Sequence, residues 1–144
     1  MKLRYPLFES LLLQENGELA NALRRLDRNH VRYWRNCTVT ELPYNKRSYN
    51  KFKVRGNKPW SEPWQTVWLY RPDEAASLED QHARASCSCN SWRFNGSDWN
   101  AIQDDYILFG ARSNGSSPDI RDPNRKNTVC KHVYAMLNHL RLLR

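Results

Sequence analysis

Cys87-Ser88-Cys89 and Cys130-Lys131-His132-Val133-Tyr134-Ala135-Met136-Leu137-Asn138-His139-Leu140 are the stretches whose reading decides this chain. They spell C-x-C followed, further on, by C-x-H: three thiols and one imidazole. A tetrahedral site closed by four sulfur and nitrogen donors is what a structural zinc ion takes. Cys87, Cys89, Cys130 and His132 are therefore the candidate ligands, for one structural Zn2+ per chain.

The two pairs need different local geometry. Cysteines two residues apart reach one metal from a tight turn or a strand end. In a continuous helix the same spacing points to opposite sides. Cys130 is thus expected at or just before a helix start, with His132 in the first turn. The sequence after it agrees, since Val133, Met136, Leu137, Leu140 and Leu143 recur at helical steps and make one apolar stripe. A helix N-terminus also favours thiolate over thiol. Lys131 between the ligands, with Arg84 and Arg93 beside the C-x-C pair, can offset the net negative charge of three thiolates and a dication. The bland alternative is a set of small buried cysteines and an unrelated histidine. A disulfide is the weaker reading, because cysteines two apart seldom bridge each other. Cys37 reads as a buried strand residue, and His139 as a reserve ligand.

The pattern resembles the SWIM-type zinc finger, C-x-C-x(n)-C-x-H. In that family two strands carry the first pair and a following helix carries the second. The resemblance spans roughly residues 82–144, with Cys87, Cys89, Cys130 and His132 on the ligand positions. It departs in the long insertion at 90–129. It implies a module that binds nucleic acid or protein. The texture of residues 105–144 also looks like small zinc proteins encoded by tailed bacteriophages, which implies a virion tail or baseplate component.

At 144 residues the chain forms one domain, or one with an appendage. No run of about 18 apolar residues marks a membrane span. The N-terminus lacks the apolar stretch of a signal peptide. An intracellular, reducing compartment such as the cytoplasm is the expectation, or a virion if the phage resemblance holds. The net charge of +8 is uneven: residues 1–60 hold 13 Lys and Arg against 5 Asp and Glu, whereas residues 61–90 hold 2 against 5. An anionic partner suits the first half.

The expected fold class is α+β, in two segments. Residues 1–72 carry a helical hairpin (Leu7, Phe8, Leu11 and Leu12 on one helix; Leu19, Ala20, Leu23 and Leu26 on a second, to about Arg28) and a basic, aromatic β segment. That segment has strands near Cys37–Thr40, Tyr44–Arg55 and Trp64–Tyr70, in a small antiparallel sheet. An acidic stretch from Pro72 to Gln81 reads as the seam. Residues 82–144 are the zinc module: a strand pair stapled by metal, a short buried strand at 106–109, a long irregular loop at 112–128 and the C-terminal helix.

Three surface features bear on function. In the second strand Arg47, Tyr49, Lys51, Lys53 and Arg55 fall on one face, opposite Tyr44, Phe52 and Val54. Such a face neutralises phosphates and stacks a base, or it protects an edge strand against aggregation. Trp60, Trp64 and Trp68 read as core or as subunit interface. The loop 112–128 either clamps a partner or is simply solvated. No catalytic set stands out, and a closed three-thiolate site leaves no position for water. Asp104 and Asp105, or Asp119 and Asp122, lack the partners of a nuclease metal site. The chain is thus expected to be no enzyme, with no small-molecule substrate and no membrane partner. It reads as a zinc-stabilised scaffold that contacts proteins within a larger assembly, or else as a nucleic-acid binder using the basic ribbon.

Overall fold

The computed structural model describes residues 18–26, 31, 34, 37–44, 46–56, 63–94, 97–108 and 126–143. Over these the chain is mixed α+β. In order come α1 (Glu18–Arg24), β1 (Thr38–Leu42), β2 (Tyr49–Arg55), β3 (Gln65–Tyr70), a 3-10 turn (Leu78–Asp80), β4 (Arg84–Cys87), α2 (Asn90–Phe94), α3 (Ser97–Gln103) and α4 (Lys131–His139). The first helix of the expected hairpin, Trp60 and most of the loop at 112–128 lie outside the described residues.

The strands form one antiparallel sheet in the order β1-β2-β3-β4. Its two faces follow from period-two alternation. On β2, Phe52 and Val54 are fully buried, while Lys51, Lys53 and Arg55 between them keep contact with solvent. On β3, Val67 and Leu69 are fully buried, and on β4 so are Ala85 and Cys87. These aliphatic positions share the inner face, and α4 crosses it over all four strands. Val133, Met136 and Leu137 of α4 are buried there.

Several local expectations change. The strand expected at Tyr44–Arg55 begins only at Tyr49, because a turn at Lys46–Ser48 precedes it, with Ser48 at φ 71°. That turn resets the alternation, so Tyr44 packs on the outer face against Trp68 and Tyr49, not with Phe52 and Val54. The strand expected at 106–109 is reduced to one parallel bridge between Ile107 and Ala85. The Ala85 amide donates to the Tyr106 carbonyl (2.9 Å), and the Leu108 amide to that of Ala85 (3.1 Å). The start of the 90–129 insertion is helical, as α2 and α3.

The C-terminal helix also ends sooner than its stripe suggests. Arg141 adopts the left-handed conformation (φ 60°). The Leu142 amide then donates to the Leu137 carbonyl (2.9 Å) and the Arg141 amide to that of Asn138 (3.0 Å), closing the helix in a Schellman pattern. Leu140 and Leu143 still pack on the core, from beyond the helix end.

α1 is fastened to the segment that leads into α4. Leu19 and Ala22 are fully buried. The Thr128 hydroxyl donates to the Ala22 carbonyl at 2.6 Å, in the interior. Arg25 pairs with Asp104 at 2.6 Å. Ala22 and Thr128, 106 positions apart, thus meet just before Cys130.

Candidate metal centre

Cys87 closes β4, and Cys89 stands in the turn before α2. Cys130 is the N-cap of α4, and His132 lies in its first turn. The second pair sits as its spacing requires. The first does not bridge two strands: one cysteine ends a strand and the other precedes a helix. The four side chains converge. Their ligand atoms all lie within 4.8 Å of one another, and the residues are only 1–6 % exposed. Bonds of about 2.3 Å from a tetrahedral metal put its donors about 3.8 Å apart. The cluster therefore can hold one metal ion after a small contraction.

The chemistry of the donors fits such an ion. Nδ1 of His132 is buried with no hydrogen-bond partner. A buried polar atom without a partner is costly, and coordination removes such a cost. Two sulfurs accept backbone amides from the start of a helix: Trp92 donates to Cys89 at 3.2 Å and Val133 to Cys130 at 3.5 Å. Hydrogen bonds of this kind favour thiolate.

Protonation in the cluster is shared unequally. Cys89 is held well below the usual thiol range by hydrogen bonds from Cys130 and Cys87. Burial pushes Cys87 and Cys130 upward, and the neighbouring thiolate adds to that rise. Without a cation, three buried thiols cannot all ionise together. A dication supplies the compensating charge, and the thiols then lose their protons.

Of the cations expected around the sulfurs, Arg84 is placed differently. Arg84 turns to the Asp105 carboxylate (2.9 Å) and the Ile107 carbonyl (3.2 Å), because odd and even positions of β4 face opposite ways and Cys87 takes the inner side. Arg93 is exposed on α2 and Lys131 is half-buried at the start of α4. His139 is exposed and outside the cluster. Cys37 is half-buried just ahead of β1. Asp104 and Asp105 are engaged by Arg25 and Arg84. Among the described residues, the Cys87–Cys89–Cys130–His132 group is the one metal-competent cluster.

The basic residues of β2 have their own arrangement. Tyr49, Lys51, Lys53 and Arg55 all take the outer face of the sheet, and Arg47 is exposed in the turn before them. Strand register sets Lys51 opposite Trp68 and Tyr49 opposite Tyr70. Trp64 and Trp68, expected in core or interface, stand on this outer face: Lys51 Nζ lies 4.8 Å from the Trp68 ring, Lys53 Nζ 4.7 Å and Arg55 Cζ 4.3 Å from that of Trp64. The alternation of Trp64, Thr66, Trp68 and Tyr70 is legible in the sequence, but Val67 and Leu69 between them are apolar too. Only the pairing with β2 decides which set faces inward.

Among the described residues no helix is long and apolar enough to cross a membrane. Comparison with family models, with curated proteins and with solved structures gave no match.

Proposed function

We propose that this chain is a non-enzymatic interaction module stapled by one structural zinc ion on Cys87, Cys89, Cys130 and His132. The observation that carries the reading is the closed, buried convergence of three sulfurs and one imidazole from β4, the turn before α2 and the start of α4. Sulfur-rich tetrahedral sets select zinc among the abundant divalent ions. Four protein donors leave no position for a reactive water, so the metal's role is to fix the fold. It joins the edge strand β4 and the start of α2 to the start of α4, across the long insertion. The C-x-C…C-x-H order is that of a SWIM-type finger, with the first pair displaced from a strand pair to a strand end and helix start. In this reading the chain works through its surfaces, as a subunit of a larger assembly; a bacteriophage tail or baseplate is the specific form that the texture of residues 105–144 suggests.

Elemental analysis of natively purified protein tests the zinc. The expected result is about one zinc per chain, with cobalt substitution giving the absorption bands of tetrahedral thiolate ligation. Protein that folds fully with no metal and three free thiols overturns the reading, as does iron with sulfide.

A further inference from the structure

The outer face of the sheet is a second candidate site, distinct from the metal. Its cations and rings run as two adjacent rows. Lys51, Lys53 and Arg55 occupy alternate positions of β2, about 6.8 Å apart, a step comparable to that between consecutive phosphates of an extended strand. Beside them stand Trp68 and Tyr70 on β3 and Trp64 just ahead of it. Trp64 is 37 % exposed, and Tyr44, which continues the ring surface over Trp68, is 42 % exposed. Among the described residues, α4 lies on the opposite face. The outward positions of β1, set by its register with β2, are Thr38, Thr40 and Leu42, and bring no carboxylate. Glu41 faces the other way and takes a hydrogen bond from Asn50 (3.2 Å). Asp105, beyond β4, is paired with Arg84. Lys51, Lys53 and Arg55 have ring contacts but no ion pair among the described residues.

We propose that this face binds single-stranded nucleic acid, with unpaired bases stacking on Trp64 and Trp68 and the backbone phosphates held by Lys51, Lys53 and Arg55. It rests on the reading of the chain as an interaction module and names that module's partner. A part-exposed cation over a ring is a weak contact that a base can replace, and the displaced ammonium or guanidinium then meets a phosphate. Both halves of the face are used at once. An acidic protein surface would engage the cations and leave the row of rings without a role. A duplex hides the base faces that the rings would stack on.

The test is fluorescence anisotropy of a labelled thymidine oligonucleotide titrated with metal-loaded, full-length protein, with the same bases in duplex form and inorganic polyphosphate as comparison probes. Binding of the single strand is expected to weaken steeply with salt. Trp64→Ala should weaken it roughly ten-fold, with Trp64→Phe restoring most of the loss. Lys51→Gln and Lys53→Gln should each flatten the slope of log Kd against log salt by about 0.7. Melting temperature and zinc content report that each variant is folded. Equal binding of duplex or of polyphosphate, with Trp64→Ala silent, overturns the proposal and leaves a surface for acidic partners. No binding at low salt by zinc-loaded, folded protein overturns it too, with the zinc-module reading intact. Loss of that reading would instead appear as absent metal, whatever the oligonucleotide does.

Discussion

Cys89 and Cys130 hold equivalent positions on two separate helices. Each is the residue before its helix, and each sulfur accepts the amide of the residue three places on, Trp92 at 3.2 Å and Val133 at 3.5 Å. A helix start leaves several amides without intrahelical partners. Here a cysteine sulfur takes one of them, so helix capping and ligand presentation are a single arrangement, made twice.

Removal of one ligand should be severe. Cys89→Ser leaves two buried thiols and an imidazole without their metal and weakens the cap of α2. Loss of a structural metal falls among the largest single-residue effects, more than about 4 kcal/mol. At about 2–4 °C per kcal/mol for a chain of this size, the melting temperature should drop by at least about 8 °C. Calorimetry with parallel zinc analysis checks this. An unchanged melt would remove Cys89 from the ligand set.

Metal affinity should fall with acidification. Burial holds the Cys87 and Cys130 thiols above their ordinary range in the metal-free chain, so they are protonated at neutral pH. The metal-bound state binds fewer protons, and affinity therefore rises with pH and is lost as pH falls. A zinc-chelator competition run at several pH values should show this slope, with protons released on loading. Affinity independent of pH would mean that the thiols are not the donors.

Thr128→Val should destabilise without touching the metal. The hydroxyl donates to the Ala22 carbonyl at 2.6 Å inside the protein. Replacing it with a methyl removes this bond while the carbonyl keeps the Arg25 amide (3.2 Å), so the cost is that of one hydrogen bond, about 0.5–1.5 kcal/mol. Denaturation should show a lower midpoint at constant slope, with zinc content unchanged. An unaltered midpoint would mean that α1 is not fastened through this contact.

Arg141→Gly should stabilise. Arg141 holds the left-handed position that ends α4, where a side chain is unfavourable and glycine is not. The gain is about 0.5–1 kcal/mol, or a few degrees in melting temperature. Arg141→Val should move the melt the other way, since β-branching suits that conformation least. The same sign for both variants would contradict the geometry.

Much of the Cys–His cluster is legible in the sequence because its constraints are local. Cys130 must precede a helix for His132 to turn toward the same point, and Val133, Met136 and Leu137 mark the buried side of that helix. The strand that ends in Cys87 was legible less well. Its neighbour Cys89 was expected on a second strand, and nothing in Ser88-Cys89-Asn90 announces the short helix that follows. Tyr44 stands an even number of residues from Phe52, but the turn at Lys46–Ser48 resets the two-residue period between them.

The sequence by itself determined the donor types, the helix that presents Cys130 and His132, and the alternation of β2, since each depends on spacing within a few residues. Only the tertiary structure decided that the two ligand pairs meet within 4.8 Å. It alone also decided that Trp68 stands outside over Lys51 while Val67 and Leu69 fill the core. The reason is physical. β3 is apolar on both sides, so its orientation is undetermined until β2, with cations on one face only, pairs beside it and α4 covers the face that those cations avoid.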